Sequence, residues 1–188
     1  LLINQGATKS YAFVNEYLQR KLPFNEGDVD GGAVDFDNDG RMDLSASRDR
    51  KYESGYTTAE QKGWFGLFHQ EPDGTFVSVT LTAGINDLTG KEPFLRMKAA
   101  QNHAWSDVDH DGDLDLLVGG RDTGGGRPNF LFENKVGAKN PWLGLKLVGD
   151  GKTVNRDAIG ARVTLKFPGS SEVLLREVQS SRGSYDSA

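Results

Sequence analysis

The chain has 188 residues and a formal net charge of −5 at pH 7, so it can hold one large or two small domains. It has no basic stripe of the kind that binds nucleic acid, and no apolar run approaches the roughly 18 residues of a transmembrane helix. Cysteine is absent, so disulfides do not stabilise the fold, and cysteine usage does not identify the redox compartment.

The first part of the chain predicts short β-strands. It opens abruptly on Leu-Leu-Ile-Asn, without an initiator methionine or a signal peptide, which indicates a fragment or a processed product. Apolar runs at 1–4 and 11–17 flank a glycine-containing turn and predict a hairpin. The same pattern returns at 66–85, where a turn at 72–74 separates two strands, and another strand is expected at 129–134.

Two aspartate-rich stretches, residues 35–43 and 107–115, share the pattern D-x-D-x-D-G-x-x-D and are followed by an apolar residue. Calcium takes six to eight oxygen ligands at roughly 2.3–2.6 Å and tolerates irregular geometry. Carboxylates at loop positions 1, 3 and 5 can converge on one ion if the backbone coils tightly, and Gly40 and Gly112 at position 6 permit the positive φ that such a coil needs. Position 7 would contribute only its backbone carbonyl.

The pattern therefore predicts two Ca²⁺ sites, with four side-chain ligands in each. They are Asp35, Asp37, Asp39 and Asp43 in the first loop, with the backbone oxygen of Arg41, and Asp107, Asp109, Asp111 and Asp115 in the second, with the backbone oxygen of Asp113. An EF-hand would place a bidentate glutamate at position 12, where this chain has Ala46 and Val118. Short strands, not helices, are expected after each loop, so the aspartate at position 9 must close the site.

A solvated turn is the alternative interpretation of each loop, because aspartate, asparagine and glycine are common turn residues. Two copies that match at every ligand position favour a metal site. Four carboxylates packed without a cation would also repel one another and raise their own pKa values. Calcium is favoured over magnesium because a cage made of protein oxygens suits the larger ion.

The spacing of the repeat, from Asp35 to Asp107, is 72 residues, longer than the roughly 40–50 residues of a propeller blade. The surplus is assigned to two surface loops, a charged insertion at 48–62 and a linker at 86–101 that contains the breakers Gly90 and Pro93. Residues 28–32 lack the later ligands of a metal loop and are expected to form a turn.

A second, small antiparallel module is predicted after Pro141. Residues 142–148 and 161–167 alternate between apolar and polar side chains with the period of a strand. A turn at 168–171 leads into a strand at 172–178. The serine- and glycine-rich tail from Gln179 is expected to fray.

The chain resembles two known families. Residues 1–139 are similar to the FG-GAP/VCBS repeats that form the blades of integrin-α-like β-propellers, a match carried by 32–44 and 107–118. Residues 140–188, possibly truncated, resemble the ASPIC/UnbV domain through 142–147, 155–163 and 176–180. The resemblance implies an all-β chain of calcium-binding blades and an extracytoplasmic, non-catalytic scaffold or adhesion role.

A propeller closes with roughly four to eight blades, and this chain carries two repeats and a half. The expected fold is thus an incomplete propeller with antiparallel blades, followed by the small β module. Further chain or a larger complex would complete the ring, because an open sheet edge favours aggregation.

Other chemistry is less well supported by the residues. His69, His103 and His110 show no metal or triad spacing, and His110 at loop position 4 should be exposed. Paired carboxylates could hydrolyse glycosides, but each aspartate of the loops is needed for the cation, so no enzymatic activity is expected. Trp64, Phe65 and Phe68 are expected in the core and not on a stacking surface for sugars or peptides.

The function expected from the sequence is protein–protein or protein–glycan recognition by a calcium-rigidified, exported scaffold. Two alternatives remain open. One is the accessory domain of a secreted enzyme whose catalytic part lies elsewhere, and the other is an accessory subunit of a membrane or envelope complex.

Overall fold

A computed structural model describes residues 1–23, 25, 27–49, 63–85, 99–121, 129–169, 171 and 173–180. These residues form strands, turns and short 3-10 segments without an α-helix, which confirms the all-β prediction. No helix in this part of the chain is long and apolar enough to cross a membrane. The strands are β1 (Leu2–Asn4), β2 (Phe13–Asn15), β3 (Asp28–Val34), β4 (Asp43–Arg48), β5 (Phe65–Gln70), β6 (Phe76–Ser78), β7 (Ala99–Ser106), β8 (Asp115–Arg121), β9 (Asn129–Phe132), β10 (Arg162–Lys166) and β11 (Val173–Glu177).

The strands form antiparallel sheets in which chain neighbours are also spatial neighbours. The larger sheets have the orders β3-β4-β5-β6 and β7-β8-β9, and the smaller ones are the hairpins β1-β2 and β10-β11. Strand β7 packs against β3 and β4, so the two larger sheets are adjacent. The hairpins predicted at the N-terminus, around residues 72–74 and after residue 161 are confirmed. Within the described ranges these sheets do not close into a propeller.

The turn predicted at residues 28–32 is wrong, because these residues are extended in β3. They pair with β4, with a register shift between Asp28 and Asp30 that marks a β-bulge. A glycine allows this pairing at one point, since a Cβ on Gly32 would lie 2.8 Å from Ser45 Oγ and 3.0 Å from His103 Nε2. The missing side chain thus lets β3 approach the neighbouring strands closely.

The predicted linker and insertion are only partly described. Strand β7 begins at Ala99, inside the stretch predicted to be a linker, and the earlier residues of that linker lie outside the described ranges. The insertion after Asp49 also lies outside them, as do the tail beyond Ser180 and the glycine run at 124–126.

The strand predicted at residues 142–148 does not form. These residues have no ladder partner among the described strands, and nearly all of them are exposed. Alternation of apolar and polar residues stabilises a strand only when a neighbouring strand and a buried face are present. The β10–β11 hairpin does form, although its apolar side chains Leu165 and Phe167 remain exposed.

The hydrophobic core lies between the two larger sheets and confirms the prediction for the aromatic cluster. Trp64 and Phe65 are 1% and 0% exposed, and Phe68 is also buried. The Trp64 ring stacks on the rings of Phe130 and Phe132, at centroid distances of 5.6 and 6.2 Å. Trp64, which directly precedes β5, therefore meets the aromatic residues of β9 in one core, and this packing holds the two sheets together.

Candidate metal centre

Both aspartate loops are the connections of β-hairpins. The first loop, defined here as residues 35–43, links β3 to β4, and the second loop, residues 107–115, links β7 to β8. In each hairpin the ladder ends at the same point, where Val34 pairs with Asp43 and Ser106 pairs with Asp115. The position-9 aspartate is therefore the first residue of the strand that follows each loop, as predicted.

The two loops share an unusual backbone conformation. Gly40 and Gly112 at position 6 have φ values of 93° and 94°, as the need for a tight coil predicted. Position 4 is also left-handed in both copies, with φ values of 57° at Asn38 and 65° at His110. Asparagine and histidine tolerate this region better than most residues, so both sequences permit the same coil.

The carboxylates at the two ends of each loop accept equivalent backbone hydrogen bonds. At position 1, Asp35 and Asp107 accept from the N–H of the position-6 glycine at 3.1 and 3.2 Å. At position 9, Asp43 accepts from Phe36 at 3.3 Å and from Gln70 at 2.7 Å. Asp115 repeats this with Val108 at 3.0 Å and Asn134 at 2.8 Å. The carboxylates at both ends of each loop are thus held by backbone N–H groups of the loop itself and of one neighbouring segment.

The middle carboxylates are also held in the same way. At position 3, Asp37 and Asp109 each accept from the position-5 N–H at 3.3 Å. At position 5, Asp39 and Asp111 accept from the position-7 N–H at 2.8 and 3.1 Å. The two loops therefore match in their backbone and in the hydrogen bonds of every predicted side-chain ligand.

The carboxylates converge into groups that can hold a metal ion. Oxygen atoms of Asp35, Asp37 and Asp39 lie within 4.8 Å of one another, and so do those of Asp107, Asp109 and Asp115. A third group joins Asp37 and Asp43 to His69, over the same distance. Asp111 belongs to none of these groups and is exposed. Seven of the predicted side-chain ligands are thus brought together.

Burial disfavours the ionised form of three aspartates in the loops. Asp43 is fully buried, and desolvation raises its pKa to about 6, with a contribution from Asp37 that exceeds the opposing effect of His69. Burial also raises the pKa values of Asp35 and Asp113. A bound divalent cation would favour the ionised form of such groups and offset this desolvation.

The second loop contains acceptor atoms without a partner. Asp107 Oδ1 and Asp113 Oδ1 are buried and have no hydrogen bond within the described ranges. Asp107 is a predicted ligand, so its free oxygen fits a cation. Asp113 was predicted to use only its backbone oxygen. Its buried side chain accepts from the Ala138 N–H at 2.9 Å, which fixes the chain after β9.

Among the described residues, positive side chains pair with acids of the first loop and not with those of the second. Arg41 pairs with Asp39 and donates from Nε to the Gln70 carbonyl at 2.8 Å. Arg176, on the distant strand β11, lies 2.6 Å from Asp35. In the part of the chain that the structure describes, no lysine or arginine forms an ion pair with an acid of the second loop. The two loops thus share their backbone conformation and carboxylate hydrogen bonds but differ in their electrostatic surroundings.

Asparagine side chains connect the two loops. Asn38 Nδ2 donates to the Gly112 carbonyl at 2.9 Å, across from the first loop to the second. Asn134 Nδ2 donates to the carbonyls of Phe36 and Leu114, at 2.7 and 3.1 Å. Asn140 Nδ2 donates to the Asp37 carbonyl at 2.7 Å. The loops therefore form one assembly.

The positions of two histidines were not apparent from the sequence. His69 lies beside the first acidic cluster, and His103 is buried between the sheets, 2.8 Å from Ser45 Oγ and 2.9 Å from Ser47 Oγ. This serine–histidine contact joins β4 to β7. Because Ser45 is only 3% exposed, its hydroxyl is not an accessible nucleophile. His110 is exposed, as predicted. Only the strand register could have revealed the position of His69.

No protein-family model, curated protein or solved structure matches the chain. Its function must therefore be argued from the loops themselves.

Proposed function

We propose that this chain is a calcium-binding β-scaffold whose two loops each take one Ca²⁺. The observation that carries the proposal is the match between the loops, which share backbone angles and carboxylate hydrogen bonds at each predicted ligand position. An isolated acidic turn has no need to repeat such detail. An all-oxygen set of carboxylates with backbone carbonyls suits calcium better than magnesium, which retains several of its waters.

The two larger sheets support an interpretation as propeller-type blades. A blade is a four-stranded antiparallel sheet, which the order β3-β4-β5-β6 provides, and β7-β8-β9 supplies three further strands in the same order. Their adjacency through β7 is the arrangement expected of consecutive blades. Further chain or a partner would complete the ring that we propose.

We propose that the ions are structural and that the chain acts in protein or glycan recognition outside the cytoplasm, without catalysis. Structural calcium sites of moderate affinity fill where calcium is abundant, as it is outside cells. The C-terminal module exposes several large apolar side chains, among them Trp142, Leu143 and Val148, which could contact a partner.

Thermal unfolding with and without calcium tests the proposal. We expect a saturable rise in Tm with calcium and a much smaller one with magnesium. An ion that binds only the folded state adds about 2.7 kcal/mol at a hundredfold excess over its Kd. Asp37→Asn and Asp109→Asn should each reduce this rise, because each removes a ligand charge from one loop.

Asp157→Asn is the matched control, since Asp157 is exposed and lies outside both loops. It should leave the calcium-dependent rise unchanged. A folded protein whose Tm does not respond to calcium would contradict the proposal, and so would loop variants that lose equal stability in calcium and in EDTA.

A further inference from the structure

One imidazole lies against the first loop. His69 Nδ1 is 3.5 Å from Asp37 Oδ2 and 3.3 Å from Asp43 Oδ1. This nitrogen is buried and makes no hydrogen bond to any described residue. One ligand atom from each of these three side chains lies within 4.8 Å of the others, which is a separation that a single ion can bridge.

Strand pairing fixes the position of His69. In the β4–β5 ladder Leu44 pairs with Phe68, so the next residues along, Asp43 and His69, lie opposite each other. Opposed residues in an antiparallel pair project to the same face of the sheet. The ring of Phe36 contacts the imidazole edge to face, at a centroid distance of 6.1 Å, and covers the imidazole on the side that faces the loop.

The second loop has no imidazole at the equivalent place. In the β8–β9 ladder Leu116 pairs with Phe132, so Glu133 occupies the position opposite Asp115. Glu133 is 54% exposed and pairs with Lys135. Because the loops match in their backbone and in their carboxylate hydrogen bonds, the imidazole is the difference in ligand type between them, and the second loop serves as an internal comparison.

The ligand type decides which metal each loop can prefer. Imidazole nitrogen suits zinc and other late transition metals, whereas carboxylate and carbonyl oxygens suit calcium and magnesium. Zn²⁺ is bound by imidazole nitrogen and by carboxylate oxygen, and a site with three protein ligands can take water in the fourth position. The carboxylates of Asp37 and Asp43 retain free lone pairs, since each oxygen can accept more than one contact.

We propose that the first loop carries a transition-metal site of the Zn²⁺ class, formed by Asp37, Asp43 and His69, which the second loop lacks. The proposal deepens the proposed function, because both aspartates also belong to the proposed calcium set. It requires only these three side chains, however, and it can stand if calcium does not bind. Occupancy of the first loop would then depend on the competition between two metals.

Zinc titration of the chelator-stripped chain by calorimetry tests this inference, with the zinc nitrate salt as the probe. We expect one site whose Kd rises at least tenfold in His69→Gln, because the only nitrogen ligand of the set is lost. Glu133→Gln is the matched control, because Glu133 lies opposite Asp115 as His69 lies opposite Asp43, and it should leave the zinc Kd unchanged.

Nitrogen NMR of the unsubstituted chain gives a second readout that does not depend on a variant. Zinc should move the Nδ1 resonance of His69, and the resonances of the exposed His110 should stay in place. If His69→Gln binds zinc with the same Kd as the unsubstituted chain, and His69 Nδ1 does not respond, the zinc is adventitious and the inference is overturned.

Calcium titrations distinguish the two proposals. A calcium-dependent rise in Tm that survives in His69→Gln, together with zinc binding that does not need His69, would retain the proposed function and overturn the inference. If zinc binds through His69 and calcium does not raise Tm, the inference is supported and the proposed function is contradicted.

Discussion

Burial makes the ionised form of Asp43 unfavourable in the first loop. Asp43 is fully buried, it accepts backbone N–H groups from Phe36 and Gln70, and its pKa is raised to about 6 because burial disfavours the charged form. In the unfolded chain the same carboxyl titrates near pH 3.9. Between these two values the folded state binds more protons than the unfolded state, so the stability of the protein depends on pH.

The sign of that dependence should reverse when calcium is added. In EDTA, the stability contributed by protonated Asp43 is present below about pH 4 and is lost as the pH rises through about 6, so the free energy of unfolding falls. In excess calcium it should rise over the same interval, because the ion requires the ionised carboxylate. Urea midpoints at about pH 4.5 and about pH 6.5 in both buffers measure the two slopes.

Asp43→Asn removes the titrating group and should reduce the difference between the slopes, whereas Asp157→Asn should retain it. Parallel slopes in EDTA and calcium would mean that Asp43 is not a ligand.

At the scale of elements, the sequence predicted the strands that follow each loop better than those that precede it. Strands β4 and β8 begin at the position-9 aspartate and carry apolar residues directly after it, Leu44 in β4 and Leu116 and Val118 in β8, of which the last two enter the core. Strand β3 contains Asp28, Asp30 and two glycines, a composition typical of turns. The extended conformation of β3 depends on pairing with β4, and the local sequence pattern does not indicate this pairing.

The substitution Gly32→Ala tests whether β3 must lie this close to the strands beside it. A methyl group in Gly32→Ala would meet Ser45 Oγ at 2.8 Å and His103 Nε2 at 3.0 Å, and both atoms belong to a buried network that cannot move freely. We expect a loss of about 1–3 kcal/mol in the free energy of unfolding, typical of overpacking.

Gly31→Ala is the control, because the nearest atom to its added methyl is the Ser45 carbonyl oxygen at 3.9 Å. Chemical denaturation of both variants compares them directly. Equal losses would show that glycine matters here for the backbone and not for the space.

At the scale of the whole molecule, the C-terminal hairpin is linked to the first loop. Arg176 of β11 lies 2.6 Å from Asp35, a residue 141 positions earlier in the chain. A cation bound in the loop and this guanidinium would interact with the same carboxylate. The stability of the loop should therefore depend on Arg176 most when no calcium is present.

Arg176→Gln should lower Tm in EDTA by the amount expected of a partly exposed ion pair, up to about 1 kcal/mol in stability. In saturating calcium the loss should be smaller, since the ion replaces the lost positive charge. The calcium-dependent rise in Tm should thus be larger in the variant than in the unsubstituted chain.

Arg162→Gln is the control, because Arg162 pairs with Glu177 within the same hairpin and does not reach the loop. Its effect should be the same in both buffers. An Arg176→Gln variant with equal losses in EDTA and calcium would show that Asp35 keeps its partner when the ion is bound.

The parts of the site that the sequence could not predict are those that depend on tertiary structure. The residue spacing within each loop is local, so the positive φ of Gly40 and Gly112 and the place of Asp43 at the start of β4 were predictable. His69 reaches the same site only because β5 pairs with β4 in one register, across a predicted insertion whose length conceals the alignment. Contacts of this kind require the assembled fold.

The amide groups that join the loops are expected to limit the lifetime of the protein at high temperature. Asn38, Asn134 and Asn140 each donate to a carbonyl that another part of the chain supplies. Asparagine is thermolabile, and hydrolysis of its amide leaves a carboxylate, which cannot donate and brings a negative charge to an already acidic surface. Prolonged heating should therefore weaken the contact between the loops by a chemical change that refolding cannot reverse.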